Sequence, residues 1–269
     1  MSSFIMHRIL YNIAVIHGRG VVMQVKNIEL GTGAPKIVVS TSKDTHRGAA
    51  DAARYFEQFR ESFDILEIRA DYFDELQDDA HINTVNEMIK AFSEYPVIYT
   101  YRSFREGGDG RRSKEDYHAL LKRVIKECSI DLVDIEFLTD EGITADLIDR
   151  AEKREVKVLL SNHDFTCTPL IEEMQKLLYR MDRAGGDILK VAYAPQNEND
   201  TLNVMSVVAS AKSVLGSKIV GISMGETGMI TRLAGGTFGS CMTYGYVAET
   251  AAPGQVHAEK IRQALSAYE

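Results

Sequence analysis

The sequence predicts an α/β protein of one domain, a closed (β/α)8 barrel with an N-terminal β-hairpin across its bottom. Three observations lead there. From Pro35 onward, short β-branched runs alternate with segments that are apolar at helical spacing, and the alternation occurs eight times. The connections are short, with no low-complexity linker and no shift in composition that would mark a second domain. The first strand runs into Ser40-Thr41-Ser42-Lys43-Asp44, without the glycine-rich loop that usually opens a doubly wound open sheet. Eight parallel strands with alternating helices are best accommodated by closure into a barrel.

Each element has its own signal. Met23–Leu30 alternates apolar and polar, the period of an extended pair. Residues 1–22 precede that pattern and are expected to be a poorly packed extension, leaving 23–269 as the barrel. The barrel strands are expected at 36–40, 64–69, 96–102, 132–136, 156–161, 186–195, 218–223 and 240–244. Helices are expected at 48–60, 81–95 (ended by Pro96), 113–128, from Thr144, from Thr168-Pro169 to Ala184, 201–215 (closed by Gly216), 227–234 and 256–267. Ser113 reads as an N-cap with Asp116 three residues on, Thr144 as a second N-cap, and Thr168-Pro169 as a cap and first helical residue.

Composition narrows the function classes. In 269 residues, 45% are hydrophobic and 26% charged, which suits a globular protein with ample core. The net charge of −8 argues against nonspecific nucleic-acid binding, so an anionic ligand would need local arginines. Cys128, Cys167 and Cys241 lie far apart, show no metal-ligand spacing, and fit a reducing cytoplasm. No apolar run is long enough to span a bilayer, and Ile9–Ile16 lacks the flanks of a signal peptide.

The sixth strand contains a lysine. Alternation places Ile188, Lys190 and Ala192 on one face, and Leu189 and Val191 on the other. An ammonium among apolar neighbours is costly unless paired, and its pKa falls, which makes the amine a nucleophile toward carbonyl carbon. The alternative is an ion pair with a buried carboxylate, Glu136 being the strongest candidate.

In a barrel the C-terminal strand ends open onto one face, where chemistry sits. Those ends carry Glu67, Arg69 and Asp71; Arg102 and Glu106-Gly107-Gly108; Asp134 and Glu136; Asn162-His163-Asp164; Lys190; Met224-Gly225-Glu226 with Arg232 beyond; and Ala252-Pro253-Gly254-Gln255. Strand bodies are apolar while strand ends are charged, which favours a polar pocket. Structural alternatives stand beside this. Glu67 and Arg69 could simply pair, His163 could be a core histidine, and Gly107-Gly108 alone is too weak a signal for a phosphate loop. His46, His81, His118 and His257 are expected at the surface. A metal site of Glu67, Glu136, His163 and Asp164 is disfavoured, because the mouth has one histidine and its arginines and lysine repel a cation. The residues suit dehydration or carbon–carbon lysis beside a ketone. A lysine imine acidifies the α-carbon, a histidine moves the proton, and arginines bind a carboxylate. A class I aldolase acting on a sugar phosphate is the closest rival, followed by a non-catalytic ligand-binding barrel.

In this order the segments 33–37, 67–71, 102–108, 134–136, 163–165, 187–190, 223–225, Arg232 and 252–255 resemble the type I 3-dehydroquinate dehydratases of the shikimate pathway. The resemblance runs from about Met23 to the C-terminus. It implies an imine between Lys190 and the C3 ketone of 3-dehydroquinate, with His163 as general acid and base and Glu106 orienting it. It further implies that Arg232 binds the carboxylate while Glu67, Arg69, Arg102 and Gln255 contact hydroxyls or the carboxylate. A homodimer without metal or cofactor is the usual form. Many members carry serine where this chain has Ala251, in the loop that closes over substrate, and residues 1–22 have no counterpart in the family pattern.

Overall fold

The computed structural model describes residues 22–268 apart from 46, 47, 75, 139 and 251, so the expectations for 1–21, His46 and Ala251 lie outside the described residues. Two short strands, β1 (Met23–Val25) and β2 (Ile28–Leu30), pair antiparallel. The barrel strands follow: β3 (Lys36–Ser40), β4 (Ile65–Arg69), β5 (Val97–Thr100), β6 (Leu132–Glu136), β7 (Lys157–Asp164), β8 (Ile188–Tyr193), β9 (Ile219–Ser223) and β10 (Met242–Tyr246), with β11 (Val256–His257) on the outer edge of β10. All are parallel, and β10 pairs with β3. The ring closes where Cys241 N–H donates to the Ile219 carbonyl at 2.8 Å, joining β10 to β9. The intervening helices are α1 (Ala49–Glu57), α2 (Asp78–Ala91), α3 (Lys114–Glu127), α4 (Glu141–Lys153), α5 (Ile171–Ala184), α6 (Glu198–Leu215), α7 (Ile230–Phe238) and α8 (Ala258–Leu265).

Two buried clusters follow from the period of two in each strand. Outward residues such as Ile37, Leu66, Val133, Leu189 and Val191 pack under the helices. Inward residues Val38, Ile65, Ile98, Leu132, Leu159, Ile188, Val220 and Met242 form an apolar floor. Val25 and Leu30 of the hairpin pack against that floor, and Lys26 Nζ ties the hairpin to the α2–β5 connection through the Ser93 and Tyr95 carbonyls. The next inward position along each strand is Ser40, Glu67, Thr100, Asp134, Ser161, Lys190, Ile222 or Tyr244, so the barrel turns polar one layer above its floor.

Several expected boundaries are corrected. Thr144 is not an N-cap: Asp140 caps α4, accepting from the Gly142 and Ile143 amides, and Thr144 sits a turn inside with its hydroxyl on the Asp140 carbonyl. Thr168-Pro169 precedes α5, whose N-cap is Leu170 with the Glu173 carboxylate accepting from its amide. α2 starts three residues earlier than expected and ends at Ala91, well before Pro96. The eighth strand starts and ends two residues later than expected. Ser113 caps α3 as expected. His81 is fully buried on α2, facing the Tyr99 hydroxyl at 2.9 Å, because the helix turns that position onto β5.

Candidate active site

The polar layer opens into a cleft at the C-terminal strand ends. Glu67, Arg69, Arg102, Glu106, His163, Lys190, Arg232 and Gln255, all expected in the site, line it together. Lys190 projects inward from the middle of β8 and is 5% exposed. Glu136 is not its partner. The closest carboxylate is Glu67 Oε1 at 4.0 Å, and the ring of Tyr244 lies 3.8 Å from Nζ. Burial lowers the Lys190 pKa to about 8; Glu67 and Asp134 oppose that fall, and Arg102 and Arg69 add to it.

Glu67 and Arg69 do not pair with each other. Both Glu67 oxygens accept hydroxyls, from Ser40 at 2.5 Å and Thr100 at 3.0 Å. Burial alone would raise this carboxyl, but Lys190, Arg69 and the Ser40 hydrogen bond outweigh it and hold Glu67 below its ordinary value. Arg69 donates bidentately to Asp71 at 2.9 and 2.8 Å.

Arg102 is 4% exposed and sits among acids. Its guanidinium donates to Asp134 and Glu136, and also to Ser161 at 3.0 Å, with Glu106 at 3.5 Å. Glu136 further accepts from the Ser103 amide and hydroxyl, which explains why it is unavailable to Lys190. Arg102 therefore neutralises a buried carboxylate cluster that would otherwise be unstable.

β7 runs on through Asp164, so His163 is a strand residue whose side chain points inward. Glu106 reaches it from the turn after β5, because Gly107 adopts φ +81° and Gly108 packs where a Cβ would lie 2.1 Å from the Arg102 carbonyl. Gly107-Gly108 thus shapes the turn that delivers Glu106. One oxygen, Glu106 Oε2, accepts from the His163 amide at 3.0 Å and faces Nδ1 at 2.9 Å. Nε2 makes no hydrogen bond to the described residues. Burial, then Arg102 and Lys190, hold the imidazole well below its usual range, while burial and Glu136 raise Glu106 to about 8. The proton taken up near that value belongs to the pair. Above it Glu106 is a carboxylate that can accept from Nδ1, which leaves Nε2 facing the cleft.

Arg232, on α7, is 2% exposed and has no carboxylate partner among the described residues. It donates Nε to the Gly254 carbonyl at 2.9 Å and Nη2 to that of Pro253 at 3.1 Å, and burial lowers it to about 10. These bonds hold the loop before β11 against the cleft. Gln255 Oε1 accepts from the Ala252 amide at 3.3 Å within the same loop. The Gly225 amide after β9 donates to Pro253, so it is engaged by this loop where a phosphate site would need it open. Among the described residues no group of three or more His, Cys, Asp or Glu is arranged to hold a metal ion, and no helix is long and apolar enough to cross a membrane.

The family model for type I 3-dehydroquinase matches residues 38–269. The chain belongs to the type I 3-dehydroquinase family. Membership makes it an enzyme, a carbon–oxygen hydro-lyase. It is 36% identical to the 3-dehydroquinate dehydratase of Listeria welshimeri over 90% of this chain and 95% of that one. It is 37% identical to the 3-dehydroquinate dehydratase of Escherichia coli strain 55989 over 90% and 96%. The type I 3-dehydroquinate dehydratase of Clostridium difficile, solved with covalently modified comenic acid, superposes with a TM-score of 0.86 at 32% identity, covering 93% of this chain and 98% of that one.

Sequence reasoning gave no site role to Ser40, Thr100 and Tyr244, which also line the cleft, as do Met224 and Phe165 from the strand-end motifs. Ser40, Thr100 and Tyr244 each lie two residues beyond an inward floor residue (Val38, Ile98, Met242), so strand parity carried the signal. Phe165 enters by packing on Gly107.

Proposed function

We propose that this enzyme converts 3-dehydroquinate to 3-dehydroshikimate, the third step of the shikimate pathway, through an imine at Lys190. The observation that carries this is a lysine amine, depressed to about 8, in one cleft with a carboxylate-held imidazole and an arginine that has no anionic partner among the described residues. Neutral Lys190 attacks the C3 ketone; a C–N bond forms, the oxygen leaves as water, and an iminium remains. His163 Nε2 takes the C2 proton, and the iminium accepts the electron pair as an enamine. The C1 hydroxyl then departs with a proton from His163, and water hydrolyses the resulting iminium to product and free lysine. Glu106 orients the imidazole. Arg232 takes the substrate carboxylate, which supplies the anion this buried guanidinium lacks. Glu67, Arg69 and Gln255 contact the hydroxyls, Arg102 acts through its charge at the cleft wall, and Ala251 belongs to the covering loop. A cytoplasmic homodimer is part of the same proposal; light scattering at micromolar concentration tests the assembly.

The test is borohydride reduction with 3-dehydroquinate, followed by intact mass and peptide mapping. The adduct is expected on Lys190, and an adduct elsewhere, or none, overturns the assignment. His163→Ala should lose roughly 10²–10⁴-fold in kcat, the scale of a positioned general base, while still forming a trappable imine. Lys190→Ala should trap nothing. Near-normal turnover by His163→Ala would make His163 structural.

A further inference from the structure

Tyr244 is an inward residue of β10, 4% exposed, and sequence reasoning assigned it nothing. Its hydroxyl is buried without a hydrogen-bond partner among the described residues, so hydrogen bonding does not account for a tyrosine at this place. Its ring does have a partner, since the Lys190 ammonium nitrogen lies 3.8 Å from the ring centroid. Of the acids that act on that nitrogen, Glu67, 4.0 Å away, is already bound to two hydroxyls, and Asp134 is engaged by Arg102; the cleft also includes the apolar Ala192 and Ile222.

We propose that Tyr244 is a further catalytic residue, whose ring face holds the cationic nitrogen of Lys190, as ammonium before attack and as iminium after it. The proposal rests on Lys190 being the imine lysine. Attack and dehydration convert Lys–NH₃⁺ and a ketone into Lys–NH⁺=C and water, so the nitrogen is positive at both ends of the step. An aromatic face attracts that charge through its quadrupole, and more strongly where water is excluded. The contact also sets how far burial can depress the amine. Too low a basicity would leave the imine unprotonated and unable to accept the electron pair at α-proton removal. The charged groups acting on Lys190 are Glu67 and Arg69 from β4, Arg102 after β5, Asp134 from β6 and His163 from β7. From β10 the contribution is the Tyr244 ring.

The test keeps the volume at position 244 and varies the ring's quadrupole. Tyr244 is replaced by phenylalanine and by mono-, di- and trifluorinated phenylalanines. The pH midpoint of cyanoborohydride trapping with 3-dehydroquinate is then measured, with peptide mapping of the adduct. Tyr244→Phe should leave the midpoint in place and keep or raise the Tm, since it removes an unpaired buried hydroxyl. Fluorination should lower the midpoint stepwise. Tyr244→Leu and Tyr244→Met, which remove the ring, should lower it by about 0.4–1.5 pH units, one cation–π contact at about 1.36 kcal/mol per unit. Trapping on Lys190 with a midpoint unmoved across the fluorinated series, or moved as far by phenylalanine as by leucine, overturns the role of Tyr244. Trapping away from Lys190 in the unsubstituted protein overturns the imine assignment instead.

Discussion

A carboxylate and an imidazole that meet through one oxygen titrate as a unit, and Glu106 with His163 is such a unit. Its base form needs Glu106 ionised, and burial places that ionisation at about 8. In the proposed mechanism Lys190 loses its proton to attack, and burial places that loss at about 8 as well. Both active forms are deprotonated, so kcat/KM should fall as pH drops through this window. Two coupled protonations give a slope of log(kcat/KM) against pH approaching about two below it. Glu106→Gln should reduce the slope to about one while lowering kcat more than it raises KM. A slope equally steep in that variant would show that Glu106 does not titrate with the base. The same scale explains why the expected Glu136–Lys190 pair is absent. Arg102 and Ser103 are nearer donors, and a carboxylate with three hydrogen bonds has little left to offer an amine across the barrel.

At the scale of elements, caps and loops differ from their sequence signals through competition among near neighbours. Asp140 outcompetes Thr144 as the cap of α4 because its carboxylate reaches two free amides at the positive end of the helix. Asp140→Ala should cost about 1 kcal/mol and lower the Tm by about 2–4 °C, with Thr144→Ala costing clearly less; equal melts would remove Asp140 as the cap. The loop before β11 depends on Gly254, at φ +73°, where a Cβ would lie 2.1 Å from the Gly225 carbonyl. Gly254→Ala should displace the loop, break both Arg232 hydrogen bonds, and raise KM by roughly tenfold or more. Gln255→Ala should likewise raise KM more than it lowers kcat. If product binding leaves protease cleavage of this loop unchanged in the parent, and Gly254→Ala leaves KM unchanged, the loop is not a lid.

Across the whole molecule, the hairpin is the first of the described elements, and it packs on the barrel floor. Val25 and Leu30 complete the apolar floor, and Lys26 fastens the hairpin to the α2–β5 connection. A chain beginning at Met23 should therefore keep its activity and Tm, while one beginning at Ala34 should lose several degrees through the uncovered floor. Activity assays and calorimetry on both check this, and a large loss already at Met23 would mean that residues 1–22 support the barrel.

The barrel, the order of its strands and the residues at their C-terminal ends were legible in the amino-acid sequence. Those follow from periodicity, which is local: inward and outward positions alternate along each strand, and apolar bodies give way to charged ends. Eight of the nine expected site residues meet in one cleft, Glu67, Arg69, His163 and Lys190 from the strands and Arg102, Glu106, Arg232 and Gln255 from the segments that follow them, and the ninth, Ala251, lies outside the described residues. Only the tertiary structure decided who bonds to whom. Arg69 with Asp71, Arg102 with Asp134 and Glu136, the buried His81, and the Tyr244 ring beside Lys190 depend on which side chains from different strands reach the same point. That is set by strand register and side-chain length across the barrel, a distance in space that spacing along the chain does not encode.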